Sequence, residues 1–213
     1  YSTLFYAFFA ITGHRQTIAT ALVVFGGYEC MKKNKLFPLL FIHFVAFLIH
    51  KSSICFLLLY FAKYVRINKL YWSVSIGAIA LSFIFRRQFM AFLGELLGYE
   101  SYVDWTGAVG AYTFTLLLTL LYLATMLLYR KLPQNVDTDY AVVALTLAMV
   151  FVSFTYVNPS AMRVVQYFSL FIMILVPKFL QLLDARSRFL TLCVCYAVLI
   201  LPLVSKMPEY AFV

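Results

Sequence analysis

Long apolar runs separated by short polar breaks dominate the chain. They cover residues 1–12, 16–31, 36–49, 53–64, 70–85, 106–128, 140–157, 159–183 and 189–205. Long apolar blocks within them, such as Ala141 to Val157 and Val164 to Leu183, each approach the roughly 20 residues that a helix needs to cross the hydrocarbon core of a bilayer. Backbone groups in lipid must bond within their own segment, and no alternating strand pattern is present, so helices are expected. The pattern predicts an all-α, polytopic transmembrane helical bundle of about eight to nine apolar segments.

Composition excludes the soluble classes of protein. Hydrophobic residues make up 64% of the chain and charged residues 12%, against roughly 45–50% and about 25% in soluble domains. The net charge of +9 arises from Lys and Arg clusters between apolar runs rather than along one face, which argues against a nucleic-acid partner. The four cysteines lack the spacing of a zinc site and are interpreted as packing residues. Residues 1–213 predict a single integral membrane domain.

Residues 36–64 form either one helix through His50 or a short hairpin, and the positive charges distinguish the two. A hairpin or re-entrant pair puts eleven of the 17 Lys and Arg residues on one side of the membrane. A single helix would place Lys51 in the middle of the membrane and divide the other positive charges almost equally between the two sides. The positive-inside rule therefore favours the hairpin. The eleven-residue side, assigned to the cytoplasm, holds Lys32, Lys33, Lys35, Lys63, Arg66, Lys69, Arg130, Lys131, Lys178, Arg186 and Arg188.

The hairpin arms contain only 12 to 14 residues each. As α-helices they reach only ~18–21 Å, less than a ~30 Å hydrocarbon core. The tip, from His50 to Ser53, is therefore expected below the outer surface. Polar backbone at that depth is tolerated where protein or a water-filled cavity surrounds it.

Two arginines on the outer side are predicted to open inward-running helices. Asn158 and Pro159 have the pattern of an N-cap and a first helical residue, which places Arg163 about one turn into the helix. Tyr167 follows on the same face at i+4. Arg15, next to Gln16, likewise follows Gly13 at the start of an apolar run.

Guanidinium groups at helix N-termini suit a phosphate or pyrophosphate, because the free N–H groups and the helix dipole already favour an anion there. The alternative is that Arg15 and Arg163 are interfacial anchors that extend to lipid phosphates. The same alternatives apply to Lys51, Arg86 and Arg87.

His50 lies between apolar residues and is a candidate general base, since the imidazole pKa suits neutral pH. A buried structural role is the alternative for His50 and the expected role of His43. The segment 86–105 is predicted to be a loop in which carboxylates alternate with aromatic residues. Such a mixture is typical of sugar binding and also of a membrane-interface belt.

Three sequence elements together resemble the EpsG family of Wzy-like proteins. Gly13 to Ala19 is similar to the family's "RQ-x-(I/L)-A" helix start, and the Lys-rich turn 32–35 follows it. Leu48 to Ser53 resembles an "F-H-x-S-A" element, with Ile49 and Ser53 as conservative departures. Arg163 to Phe168 resembles a later "R-x-x-x-Y-F" element. The elements occur in the family's order and cover most of the chain, and further N-terminal helices are expected before residue 1.

The resemblance implies an enzyme, a multi-pass membrane glycosyltransferase that joins polyprenyl-pyrophosphate-linked oligosaccharide repeats. The reaction would take place at the outer face of the bacterial cytoplasmic (inner) membrane, in exopolysaccharide, capsule or O-antigen synthesis, with other polysaccharide-assembly proteins as further partners. Arg15 and Arg163 would hold the diphosphate and His50 would act as base or orient the acceptor. Gln16, Tyr167, Lys51, Arg86 and Arg87 would contact substrate. No cofactor or metal is required.

Three alternatives remain at the level of sequence. An O-antigen ligase or a membrane acyltransferase handles similar substrates at the same face. A polysaccharide or lipid transporter would use the buried charges to line a path, although the repeated halves typical of transporters are not evident. A structural partner in an envelope complex would tolerate Arg163→Ala.

Overall fold

The computed structural model describes residues 13–97 and 111–193, and within these ranges the regular structure is helical. The α-helices are α1 (His14–Ala21), α2 (Tyr28–Lys32), α3 (Leu36–Ile49), α4 (Lys69–Ile84), α5 (Arg86–Leu97), α6 (Tyr112–Leu128), α7 (Val136–Val152), α8 (Met162–Ser169) and α9 (Ile172–Gln181), and residues 185–193 are helical as well. A π-helical segment, Leu22–Gly27, joins α1 to α2, and a 3₁₀ helix occupies Lys51–Tyr64. Shorter 3₁₀ turns cover Tyr129–Lys131, Ser153–Tyr156 and Pro159–Ala161.

Two of the described helical stretches, Tyr112–Lys131 and Val136–Tyr156, are long and apolar enough to cross a membrane. Two bent pairs, Lys69–Ile84 with Arg86–Phe92 and Pro159–Ser169 with Ile172–Gln181, raise the number to four if each pair is one span. The all-helical membrane class is therefore confirmed. The expected eight to nine apolar helical segments are not confirmed.

Helix α7 lies at the centre of the bundle. Nearly every residue from Thr138 to Met149 is buried, on all faces of the helix. A helix that is apolar all round belongs in the interior. Helices α4, α6, α8, α9 and the 3₁₀ helix pack around it, so α7 is the scaffold that positions the other elements.

The chain reverses at His50, as the hairpin interpretation predicts. The Lys63 Nζ at the far end of the 3₁₀ helix donates a hydrogen bond to Asn34 Oδ1, 3.0 Å away, just before α3. Helix α3 and the 3₁₀ helix therefore run side by side in opposite directions. A single helix from 36 to 64 is incompatible with this contact.

The expectation that residues 53–64 form an α-helix is wrong. They belong to a 3₁₀ helix whose buried residues are Ser53, Phe56, Leu59 and Ala62, one every three positions. Side chains at i and i+3 eclipse in a 3₁₀ helix, so this stripe faces the core. At ≈2.0 Å per residue the 14-residue helix is ~28 Å long. This is longer than the length expected if the arm were an α-helix.

The π-helical segment accommodates a histidine from the neighbouring helix. A Cβ on Gly27 would lie 2.8 Å from His43 Cε1, so any larger residue would force the histidine ring to move. The His43 Nδ1 bonds to Leu39 O at 2.9 Å, and the ring stacks on Phe56 with the centroids 6.0 Å apart. His43 therefore has the packing role expected from sequence.

Two segment boundaries differ from the sequence expectation. Residues 86–97 are helix α5 rather than a loop, and α5 is bent by 77° from α4. Its Phe89 packs on Phe154 with ring centroids 6.1 Å apart. The predicted span 159–183 is broken after Ser169, where α8 and α9 meet at 49°. The remainder of the 86–105 segment, from residue 98 onward, lies outside the described residues.

The two ends of the bundle differ in their polar contacts. At one end, here called the basic end, Lys32 Nζ lies 2.9 Å from Asp137 Oδ1, and Lys178 Nζ donates to Asn135 Oδ1 at 3.0 Å. Lys63 and Asn34 meet at this same end. The opposite end, here called the tip end, carries the N-termini of α1 and α8 and the hairpin tip. Lys32, Lys63 and Lys178 are thus separated from the outer-side candidates, as the charge pattern predicts.

Candidate functional site

The N-terminus of α8 forms as its sequence predicts. The Asn158 side chain caps it by accepting a hydrogen bond from Ser160 N at 2.8 Å, and Pro159 occupies the first turn. That first turn is 3₁₀, and α8 continues from Met162. Arg163 therefore begins the regular part of the helix with an exposed side chain at the tip end.

The N-terminus of α1 lies against the same turn. Gln16 Nε2 donates to Arg163 O at 3.2 Å and to Gln166 Oε1 at 2.7 Å. Gln16 and Gln166 are 4% and 2% exposed, so this contact is inside the protein. Gln16 therefore joins α1 to α8, and the amide that was expected to contact substrate uses its N–H groups on the protein itself.

Arg15 lies next to this contact and its side chain is exposed. Its helix has Gly13 at the N-cap and no side-chain cap, so first-turn N–H groups are left without that partner. Within the described residues, no carboxylate lies within ion-pair distance of Arg15 or Arg163. Both guanidinium groups are therefore presented to the surroundings of the tip end.

The hairpin tip reaches α8 through Tyr167. The Ser52 and Tyr167 hydroxyls are 3.4 Å apart, and the buried Thr20 hydroxyl of α1 lies near the Tyr167 hydroxyl without a hydrogen bond to it. Tyr167 is fully buried and its ring lies 6.4 Å from that of Phe56. Tyr167 thus joins the hairpin tip to α8 through the Ser52 hydroxyl.

His50 lies at the turn between the two hairpin arms. Burial of the imidazole, and then the positive charge of Arg163 nearby, lower the pKa of His50 below its ordinary 6.5. Its Nε2 is buried and has no hydrogen-bond partner. A neutral imidazole with a free ring nitrogen is the form that a general base requires.

Some of the sequence-predicted residues therefore lie in or beside one cluster of polar side chains, and others lie apart from it. The structure brings together a polar cluster, here defined as Gln16, Thr20, His50, Ser52, Arg163, Gln166 and Tyr167. Lys51 is exposed beside His50, and Arg15 is exposed beside Gln16.

Arg86 and Arg87 lie apart from the polar cluster. They sit at the bend between α4 and α5, where Arg86 Nη1 donates to Phe83 O at 2.7 Å. With Phe83, Ile84 and Gln88 they line a shallow surface cavity of about 420 Å³. None of their contacts among the described residues reaches the polar cluster.

Gln166 and Thr20 belong to the polar cluster, but neither was predicted from the sequence as a site residue. Gln166 is the polar residue three positions after Arg163 in an apolar helix, which places both on neighbouring positions of one face. This spacing from Arg163 is the sequence feature from which Gln166 could have been predicted. Thr20 has no comparable signal, because its neighbour Tyr167 is distant in sequence.

No group of three or more potential metal ligands converges within the described residues. Two arginines, Arg15 beside the polar cluster and Arg163 within it, are exposed at the tip end. Their guanidinium forks have the geometry that binds phosphate oxygens in pairs.

A family model decides the relationship of this chain to known proteins. The model described as "EpsG family" matches residues 1–212. The chain belongs to the EpsG family. EpsG is a Wzy-like polysaccharide polymerase family, and membership together with the apolar helices identifies a membrane protein of polysaccharide biosynthesis. No curated protein and no solved structure matches the chain.

Proposed function

We propose that the protein polymerises polyprenyl-pyrophosphate-linked oligosaccharide repeats by glycosyl transfer at the outer face of the bacterial cytoplasmic membrane. The observation that carries the proposal is the convergence of three separate segments at the tip end. Helix α1, the hairpin turn and helix α8 bring Gln16, His50 and Arg163 together. Each of these belongs to one of the three EpsG-like sequence elements.

The chemistry of the transfer requires what these residues supply. A pyrophosphate leaves the anomeric carbon, so negative charge develops on its oxygens and fixed cations stabilise it. Arg15 and Arg163, exposed at neighbouring helix N-termini, are the proposed diphosphate ligands. The acceptor hydroxyl loses a proton as it attacks, and the free His50 Nε2 is the proposed group that accepts or orients it. Lys51 lies beside His50 as a further contact for the substrate.

The proposal is tested with the full-length protein in its native host. Arg15, His50 and Arg163 are replaced singly by alanine, with Arg130→Ala at the basic end as the control. Membrane levels are measured by blot, and surface polysaccharide is resolved on a gel. Loss of a general base lowers turnover by about 10²–10⁴-fold. Long polymer should therefore disappear and single repeats accumulate in the three variants but not in the control.

Normal polymer length in all three variants at normal protein levels would overturn the assignment of the site. The arginines would then be interfacial anchors. Loss of polymer in Arg130→Ala as well would show that the assay reports general damage to the protein.

A further inference from the structure

We propose that Gln166 is a positioning residue which, through Gln16, holds Arg15 and Arg163 at the separation that a single diphosphate requires. This inference rests on the proposed function. Among the described residues no hydrogen bond joins Gln166 to either arginine side chain, and it acts through the backbone and through Gln16.

The contact joins the two helices next to both arginines. Gln16 directly follows Arg15, and its carboxamide nitrogen donates to the carbonyl oxygen of Arg163 at 3.2 Å. The same nitrogen donates to Gln166 Oε1 at 2.7 Å. One amide group therefore fixes the backbone at Arg163 relative to the first turn of α1.

Gln166 sets the direction of that amide. A primary amide has two N–H donors, and here both point to α8. Gln166 Oε1 accepts one of them, which leaves the other aimed at Arg163 O. Without this acceptor, a buried donor would lose its partner, and the Gln16 side chain would rotate to find another. The contact with the Arg163 backbone would be lost with it.

A direct role of Gln166 in substrate binding does not fit its surroundings. The residue is 2% exposed, and its Oε1 is already occupied by Gln16. Arg15 and Arg163, in contrast, are exposed. The reach of two flexible guanidinium groups depends on how their helix turns are fixed, and small misplacements of catalytic groups have large effects on rate.

The test uses purified full-length protein in lipid nanodiscs with a polyprenyl-pyrophosphate-linked repeat as substrate. Gln166→Leu removes the acceptor at similar volume, and Gln166→Glu keeps an acceptor oxygen. Gln16→Leu removes the donor, and Gln181→Leu, an exposed glutamine in α9, is the matched control. Rates are measured at saturating and at limiting substrate and divided by the amount of monodisperse protein.

We expect kcat to fall at least tenfold in Gln166→Leu and in Gln16→Leu, and Gln166→Glu to recover most of it. The Gln16→Leu/Gln166→Leu double variant should be no slower than either single variant, because both remove the same contact. A purely structural role would lower the yield of folded protein and leave kcat per folded molecule unchanged.

A wild-type kcat in Gln166→Leu, or a Gln166→Glu variant as slow as Gln166→Leu, would overturn the inference. If Gln166→Leu does not fold, the kcat of Gln16→Leu, which also removes the contact, is compared with that of Gln166→Glu, which keeps an acceptor oxygen. Arg163→Ala in the same assay separates the two proposals. An inactive Arg163→Ala with normal glutamine variants overturns only this inference, and an active Arg163→Ala overturns the proposed site itself.

Discussion

The His50 imidazole lies at the hairpin turn, with Arg163 nearby, and both burial and that charge disfavour its protonated form. A lowered pKa means that His50 is neutral at pH 7 and takes up its proton only below its ordinary value of 6.5. Polymer synthesis should therefore fall as the pH falls through the pKa of His50. The sign follows because a protonated imidazole has no free nitrogen to accept a proton.

Removal of the neighbouring charge should raise this pKa. In Arg163→Gln the repulsion is gone while burial remains, so the pKa of His50 should move up towards 6.5. Histidine NMR of the labelled protein measures the titration, with His50→Gln used to assign the signal. An unchanged titration in Arg163→Gln would show that the guanidinium does not act on His50.

Gly27 is a residue whose replacement should destabilise the protein. A methyl group there would meet the buried His43 ring at 2.8 Å, and that ring stacks on Phe56 and has little room to move. Gly27→Ala should therefore cost about 1–3 kcal/mol, the usual range for overpacking. Loss of monodisperse protein on heating in detergent measures the effect.

Gly77 provides the control for Gly27. Nothing lies within 4 Å of the position that its Cβ would take, and it lies inside α4. Gly77→Ala should leave stability unchanged or raise it by about 0.4–1 kcal/mol. If both variants lost the same stability, the Gly27–His43 contact would not be the cause.

At the scale of the element, the 3₁₀ helix makes a prediction that an α-helix would not. Its buried stripe repeats every three residues and ends at Ala62, which is 3% exposed, whereas Phe61 is 59% exposed. Ala62→Leu should destabilise the protein by about 1–3 kcal/mol because it overpacks the interior. Phe61→Leu should have little effect on thermal stability.

The outcome of this pair reports on the register of the helix. Tolerance of Ala62→Leu together with damage from Phe61→Leu would mean that the helix presents a different face. The three-residue stripe would then be incorrect, although the hairpin itself, fixed by Lys63 and Asn34, would stand.

At the scale of the whole molecule, the two ends of the bundle should lie on opposite sides of the membrane. Phe83, near Arg87, packs on Tyr156, which follows the end of α7 opposite Asp137, so Arg87 lies at the tip end of the bundle. A single cysteine in place of Arg87, introduced into a variant without native cysteines, should react with an impermeant thiol reagent in intact cells. A cysteine in place of Lys131 should react only after permeabilisation. Both positions are exposed.

Equal labelling of the two cysteines in intact cells would contradict this topology. The reverse pattern would place the polar cluster on the cytoplasmic side. That result would contradict glycosyl transfer at the outer face, but it would not contradict the helix packing described above.

Some features of the protein followed from its sequence alone, because their causes are local. The excess of apolar residues determined the membrane class, and the distribution of Lys and Arg determined the hairpin at His50. Asn158 and Pro159 determined the start of the helix that carries Arg163. Composition, charge and capping act over a few residues, so they can be read without knowledge of the fold.

Other features were decided only by the tertiary structure. The 3₁₀ form of residues 51–64, the π-helical segment beside His43 and the bend between α8 and α9 depend on the neighbours against which these segments pack. The partner of Gln16 is 150 positions away along the chain, and no local pattern specifies it. The sequence therefore determined which polar residues are available at the tip end. Packing around α7 decided which of them meet, because buried polar groups must find partners wherever the fold places them.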